Sequence, residues 1–242
     1  MLQNLANQDN GNWDKRLLLS SVPRVGLAAK FWDTPPEDQV RVIDVNLNGF
    51  IYASHAAINV FRKQGYGTLI NMGSVDSEVP LAYQVPYAAS KAGVRSLGLA
   101  LSQELRIDGY KHIRVVTIEP WAADTPFWRH SANYTGGTPS MLALDPPVKI
   151  VNAVLRKSLR PRREVPVGWK AHSVWMFHRG FPRLTERISA NIAHKYQIKA
   201  GPPVPDTVGA IYQPMPAGRG IDDGVKQRMK KQRKQEREMR KH

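Results

Sequence analysis

The order of apolar segments along the chain constrains the fold more than any other feature. Residues 67–74 (GTLINMGS) and 113–118 (IRVVTI) have the length and the apolar content of buried strands. Between them lies a helical segment that starts after Pro86 and carries an apolar stripe of four residues: Val94, Leu97, Leu101 and Leu105. Two strands joined by a crossover helix pair in parallel. The pattern therefore predicts an α/β fold built on a doubly wound parallel sheet.

Further helices and strands are expected on both sides of this unit. Thr34-Pro35-Pro36-Glu37 has the composition of a helix start, and the helix should run toward Arg62. A kink is expected near Asn46, because Asn and Gly are poor helix formers. Four segments should follow the second strand: a long loop over 121–145, a helix over 148–159, a strand over 164–167 and helical stretches over 171–199.

Length and composition limit the class of protein. The 242 residues suffice for one α/β domain, and a hydrophobic content of 42% excludes a wholly disordered chain. The absence of cysteine excludes disulfides and thiolate metal sites. The first residues lack the apolar run of a secretory signal, and no early stretch is long enough to cross a bilayer. We therefore expect a soluble, cytoplasmic protein with no membrane partner.

The net charge of +15 is concentrated in the last third of the chain. Residues 1–150 carry 14 Lys/Arg and 13 Asp/Glu, whereas residues 151–200 carry 11 and 2. A proline-rich extended arm is expected over 201–220. A basic, disordered tail is expected over 221–242, which offers only one apolar pair at helical spacing. Nucleic-acid binding by this third is an alternative function that rests on charge alone and predicts a steep dependence on salt.

Polar side chains lie where the predicted strands end, which is where ligands bind in such sheets. Ser74 follows the first strand. Tyr87 and Lys91 lie four residues apart at the start of the next helix and so share one face. Asn46 lies at the expected kink. Each also has a purely structural interpretation: Ser74 as a turn cap, Asn46 as a partner of the kink, and Tyr87 with Lys91 as a surface pair.

Four motifs together resemble the short-chain dehydrogenase/reductase family over about Gly26–Gly168. They are DVNLNG around Asn46, INMGS ending in Ser74, PYAASKAG around Tyr87 and Lys91, and TIEPWAADTP around Pro120 and Thr125. The resemblance implies a Rossmann-like sheet and the NAD(P)-dependent interconversion of an alcohol and a ketone or aldehyde. It also implies a small-molecule substrate and a homo-oligomer.

The resemblance assigns a role to each of these side chains. Tyr87 would act as acid-base; the reference pKa of tyrosine is about 10, and the ammonium of Lys91 would favour the phenolate. Lys91 would also bind the nicotinamide ribose, and Ser74 would stabilise the substrate oxygen. Asn46 would hold a water in a proton relay. The carboxamide end of NAD or NADP would be held by three residues: Pro120, Ala123 and Thr125.

Two tryptophans in the loop after the second strand have two possible roles. Trp121 and Trp128 either wall an apolar substrate pocket or pack in the core under the loop. The position of Trp121 is usually glycine in the family, so the backbone there would approach the cofactor differently.

Among the histidines, His172 and His178 are six residues apart and the others are scattered, so no metal site is expected.

The Gly-rich phosphate-binding turn of a dinucleotide site is missing from the sequence. Residues 20–26 (SSVPRVG) stand where the family has N-N-A-G, and too few residues precede them for even one βαβ unit of about 30 residues. We therefore expect a sheet that is incomplete at the N-terminus, with an exposed edge that favours self-association. A catalytically silent member that acts through protein contacts is the second interpretation. Neither NAD nor NADP is favoured.

These expectations divide the chain into four parts. The parts are a partial catalytic domain of Rossmann type over 1–168, a helical extension over 169–200, the proline-rich arm over 201–220 and the basic tail over 221–242.

Overall fold

The strands form one larger and one smaller parallel sheet. A computed structural model describes residues 18–21, 25–138, 140–141, 143–199, 203–216, 218 and 220–239. The strands in these ranges are β1 (Leu18–Ser21), β2 (Leu27–Ala28), β3 (Gly67–Met72), β4 (Ile113–Pro120), β5 (Ala132–Asn133) and β6 (Glu164–Val167). The larger sheet has the order β1-β3-β4-β6, and β2 pairs with β5. The predicted α/β fold with a parallel sheet is confirmed.

Helices connect and cover these strands. In the described ranges they are α1 (Pro36–Ile43), α2 (Gly49–Gln64), α3 (Val85–Ile107), α4 (Phe127–His130), α5 (Val148–Leu159), α6 (Gly168–Gly180), α7 (Pro182–Ala193) and α8 (Val225–Met239). A π-helical turn over Asp44–Asn48 joins α1 to α2, and a second one over His194–Lys199 follows α7. The predicted loop over 121–145 is wrong in part, because it contains α4 and β5. The partner of β5 is β2, about a hundred residues earlier, so no local pattern marks this pairing.

The larger sheet is covered on both faces, as a doubly wound fold requires. On one face, a buried cluster joins α2, α3, β3 and β4: Phe50, Phe61, Leu69, Val94 and Val115. On the opposite face, a second cluster joins β3 and β4 to α5: Ile70, Met72, Val116, Ile118 and Ile150. Neighbouring strand residues point to opposite faces. Every residue of β3 is therefore buried, which explains the continuous apolar run in the sequence.

Two glycines fix the entry into β3. Gly65 ends α2 with a φ of 84°, a left-handed conformation that favours glycine. At Gly67 the ring of Phe61 lies so close that an added Cβ would come within 2.3 Å of the ring. The start of β3 is therefore held beneath the Phe61 ring.

The C-terminal segment forms a helix, which corrects the expectation of a disordered tail. The Asp124 carboxylate accepts hydrogen bonds from the backbone N–H groups of Val225 and Lys226, at 2.8 and 3.2 Å, and so caps α8. Val225 is buried, and Met229 packs beside it on a cluster that contains Leu81. The single apolar pair of this segment thus suffices to attach the helix, because a cluster and a cap elsewhere in the fold receive it.

The proline-rich arm packs along the domain within its described residues. Asn133 and Thr207 exchange two backbone hydrogen bonds of 2.8 and 3.0 Å. The guanidinium of Arg41 on α1 donates to the Ile211 carbonyl at 2.9 Å, and Ile211 is itself buried. The arm therefore extends over β5 and α1 instead of projecting from the fold.

The described residues were compared with the requirements of a membrane-spanning helix and of a metal site. Among the described helices, none is both long enough and apolar enough to span a membrane. Within the same part of the chain, no group of three or more His, Asp or Glu side chains is placed to ligate a metal ion.

Candidate active site

A cleft of about 580 Å³, counting the solvent at its mouth, lies at the carboxyl ends of β3 and β4. The start of α3, the turn after β3 and the loop after β4 enclose it. Seven of the residues singled out in the sequence line this cleft: Ser74, Tyr87, Pro120, Trp121, Ala123, Thr125 and Trp128. The cleft is therefore formed by the two loops in which function was expected.

Ser74 both caps a turn and lines the cleft. It precedes a short 3-10 turn over Val75–Ser77, where its Oγ accepts a hydrogen bond from the Asp76 N–H at 3.1 Å. Its own N–H donates to the Ser77 hydroxyl at 3.1 Å. These two bonds fix the position of Ser74, whose hydroxyl donates its own hydrogen to the Asp76 carboxyl. Ser74 thus caps the turn after β3 and also lines the cleft.

Tyr87 and Lys91 are buried together on one face of α3. Tyr87 is 7% exposed and Lys91 only 1%, which excludes a surface pair. The Lys91 Nζ lies 5.6 Å from the centre of the Tyr87 ring and donates to the Met72 carbonyl at the end of β3, at 2.8 Å. The Tyr87 ring packs against Phe127, with centroids 5.2 Å apart. The hydrogen bond to the end of β3 thus holds the Lys91 Nζ beside the Tyr87 ring.

Asn46 lies in the π-helical turn between α1 and α2, where the sequence predicts a kink, and it is 1% exposed. Its Oδ1 accepts from the Val25 N–H at 3.0 Å, and its Nδ2 donates to the Val25 carbonyl at 2.9 Å and to the Ser90 hydroxyl at 3.1 Å. Both Nδ2 hydrogens are thus used, and only Oδ1 can accept one more hydrogen bond. The Asn46 side chain therefore holds the segment before β2, and its place in a proton relay remains a prediction.

The two tryptophans line the cleft and also pack in the core, and their place in a substrate pocket stays a prediction. Trp121 and Trp128 line the cleft, and both also pack against the buried cluster that holds α8. The Trp128 Nε1–H donates to the Ala123 carbonyl at 2.9 Å, and the Thr125 N–H donates to the same carbonyl at 3.0 Å. The loop after β4 is therefore folded back on itself by the Trp128 ring.

Sequence reasoning missed one ionisable side chain in the cleft, that of Asp76. Burial raises the pKa of Asp76 to about 7, although a hydrogen bond from Ser74 and the charge of Lys91 act in the opposite direction. Its position two residues after Ser74, directly beyond the end of a strand, is a signal that was present in the sequence. Phe127 and Met141, which add apolar surface to the cleft, have no such signal.

Comparisons with known proteins agree with this geometry. A family model described as short chain dehydrogenase matches residues 22–134. The uncharacterized oxidoreductase YxnA of Bacillus subtilis is 29% identical over 194 residues, which are 79% of this chain and 53% of that protein. The 2-dehydro-3-deoxy-L-rhamnonate dehydrogenase (NAD(+)) of a Sphingomonas species is 34% identical over 89 residues, 37% of this chain and 36% of that one. This chain thus spans about half the length of YxnA.

Solved structures share the fold. A short chain dehydrogenase from Burkholderia cenocepacia in complex with NADP has a TM-score of 0.60 and 21% identity, over 71% of this chain and 68% of its own. A short chain dehydrogenase/reductase from Burkholderia phymatum in complex with NAD has a TM-score of 0.58 and 15% identity, over 69% and 66%. The matched family model and the related oxidoreductases support a place for this chain in the short-chain dehydrogenase/reductase family, and the solved structures show that it shares the fold.

Proposed function

We propose that the cleft interconverts an alcohol and a ketone or aldehyde, with NAD or NADP as the hydride carrier. The observation that supports this most is that Tyr87 lines the cleft beside Ser74, with the buried Lys91 behind it, its Nζ 5.6 Å from the centre of the Tyr87 ring. Such a pair supplies an acid-base group and a fixed positive charge at one place. The matched family model and the nicotinamide dinucleotides named with the two Burkholderia structures add support.

The side chains around the cleft suit the nicotinamide end of such a cofactor. The Lys91 ammonium suits ribose hydroxyls, and the Thr125 hydroxyl suits a carboxamide. The Ala123 carbonyl already accepts two hydrogen bonds, so Ala123 would contribute its backbone N–H, in the loop that Pro120 begins. When bound, the nicotinamide would give hydride to the substrate carbon or take it away.

The chain's own residues would handle the proton and the oxygen. Tyr87 would donate a proton to the carbonyl oxygen in reduction and accept it in oxidation. Lys91 would stabilise the phenolate that forms when the proton leaves. Ser74 would turn its hydroxyl hydrogen from the Asp76 carboxyl to the same oxygen, which stabilises the charge that develops there. Asn46 would connect Lys91 to solvent through a water bound at the π-helical turn.

A cofactor titration tests this proposal directly. The purified chain is titrated with NADH and with NADPH while nicotinamide fluorescence is recorded, and circular dichroism confirms that each variant is folded. We expect saturable binding that Lys91→Ala weakens about tenfold or more, because one charge-assisted contact is lost. Lys111→Ala, at an exposed lysine outside the cleft, is the matched control and should bind like the wild type.

Turnover separates the role of Tyr87 from binding. Tyr87→Phe should retain cofactor binding and lose roughly 10²- to 10⁴-fold in turnover, since only the acid-base group is removed. A folded chain that binds neither cofactor at millimolar concentration would overturn the proposal. It would favour the alternative of a catalytically silent family member that acts through protein contacts.

A further inference from the structure

We propose that Asp76 makes the cleft selective for molecules that carry a second hydrogen-bond donor, a hydroxyl or a protonated amine, beside the reacting carbon of an otherwise apolar body. The identity of the reacting carbon rests on the proposed function. The selectivity itself is a property of binding and does not require turnover.

The composition of the cleft supports this inference. Among the described residues that line it, Asp76 is the only acid, and none is lysine, arginine or histidine. Much of the remaining surface is apolar and comes from six side chains: Leu81, Trp121, Phe127, Trp128, Met141 and Ile150. A ligand body that fills this space is therefore apolar or aromatic. A single acidic group in such surroundings determines which polar substituent is accepted.

The position of Asp76 specifies where on the ligand the donor must lie. Asp76 is the second residue after Ser74, and its N–H donates to Ser74 Oγ at 3.1 Å. Ser77 holds the other side of this turn through the Ser74 N–H. The Asp76 carboxyl also accepts a hydrogen bond from the Ser74 side chain, so it lies next to the hydroxyl that would hold the reacting oxygen. A donor on the carbon next to the reacting one would meet Asp76, whereas a distant donor would not.

Burial of the Asp76 carboxylate favours a ligand that brings a hydrogen-bond donor. Removal from water raises the pKa of Asp76 to about 7, and the charge of Lys91 on α3 compensates this only in part. A ligand hydroxyl or ammonium would supply the hydrogen bond that water no longer supplies fully. A ligand without the donor would leave the carboxylate without this bond, which discriminates by about 10- to 100-fold for one buried polar group.

Binding of three matched alcohols, without cofactor, tests the inference. The probes are 1-phenylethanol, 1-phenylethane-1,2-diol and 2-amino-1-phenylethanol, which differ only at the carbon beside the carbinol. Tryptophan fluorescence reports binding, because Trp121 and Trp128 line the cleft. At pH 8 we expect the diol and the amino alcohol to bind about tenfold or more tightly than 1-phenylethanol.

Two variants and a change of pH test whether Asp76 causes the difference in affinity between the probes. Asp76→Asn should remove the advantage of the amino alcohol and retain part of that of the diol, because an amide oxygen still accepts a hydrogen bond. Glu186→Gln, at an exposed acid on α7, is the control and should change nothing. At pH 5.5 the wild type should lose most of the amino alcohol's advantage, since Asp76 is then protonated.

Three results would overturn the inference: equal affinity for all three probes, an unchanged order in Asp76→Asn, or no binding of any probe. If the probes bind selectively through Asp76 while NADH and NADPH do not bind at all, only the proposed oxidoreduction is overturned. The two failures are therefore distinguishable.

Discussion

A group of three carboxyls and two arginines around the buried Glu119 makes the stability of the fold depend on pH. Arg95 binds Glu78 at 2.9 Å and Glu164 at 2.7 Å, and Arg179 binds Glu78 at 3.1 Å. Glu119, near the end of β4, is 1% exposed and lies 3.4 Å from Arg95. Neither of its oxygens makes a hydrogen bond within the described part of the chain. Two cations cannot balance three carboxylates, so one carboxyl is expected to keep its proton.

Glu119 is that carboxyl. Burial raises its pKa to about 8; Arg95 opposes this rise, and the charges of Glu164 and Glu78 add to it. Because the pKa is higher in the folded state than in the unfolded one, the folded state binds the extra proton. The stability that this proton gives is present at low pH and is lost as pH rises through about 8. Between pH 6 and pH 9 the loss amounts to roughly 2–3 kcal/mol.

Glu119→Gln removes this titration and keeps the size of the side chain. Urea unfolding followed by tryptophan fluorescence at pH 6 and pH 9 gives the free energy of unfolding of each variant. Other titrating groups cancel in the difference between wild type and variant. That difference should shift in favour of Glu119→Gln by the roughly 2–3 kcal/mol derived above as pH rises. Glu104→Gln, at an exposed position of α3, serves as the control. A difference that does not change with pH would refute the reasoning.

Three further substitutions test how the site is supported. Asn46→Ala should lower the free energy of unfolding by about 2 kcal/mol, because the N–H and the carbonyl of Val25 lose their buried partners, whereas Asn48→Ala at an exposed position should cost much less. Phe61→Ala should cost about 3–5 kcal/mol in the same urea assay, since a fully buried ring is removed from beside Gly67. Asp124→Ala removes the cap of α8, so trypsin should cleave within residues 225–239 faster than in the wild type.

Elements whose signal is local could be predicted from the sequence. The helix over Val148–Leu159 and the strand over Glu164–Val167 have the predicted bounds, and β4 begins at Ile113 as expected. The reason is that periodicity and the stop signals of proline and glycine act within a few residues. The placement of Ser74 and Tyr87 in one cleft followed from the same local signals, because parallel strands end at one edge of the sheet.

Features that depend on distant partners could not be predicted. The cap of Val225 is Asp124, about a hundred residues earlier, and β5 pairs with β2 over a similar separation. The charge of Glu119 depends on Arg95 and on two other carboxyls that three different elements contribute. Nothing in the neighbouring sequence records such contacts. The charge and the low apolar content of residues 221–242 therefore predicted a disordered tail. The fold instead supplies a cap and an apolar surface that hold a helix there.

The spacing of charges along α3 connects substrate selection with proton transfer. Tyr87, Lys91 and Arg95 follow one another at intervals of four residues on this helix. The charge of Arg95 is taken up by carboxylates, whereas the charge of Lys91 acts on Asp76 and lies 5.6 Å from the centre of the Tyr87 ring. An ionised Asp76 offsets part of the field that favours the Tyr87 phenolate. Asp76→Asn should therefore shift the Tyr87-dependent pH profile of kcat/KM to lower pH, and an unchanged profile would show that Lys91 acts on the two groups independently.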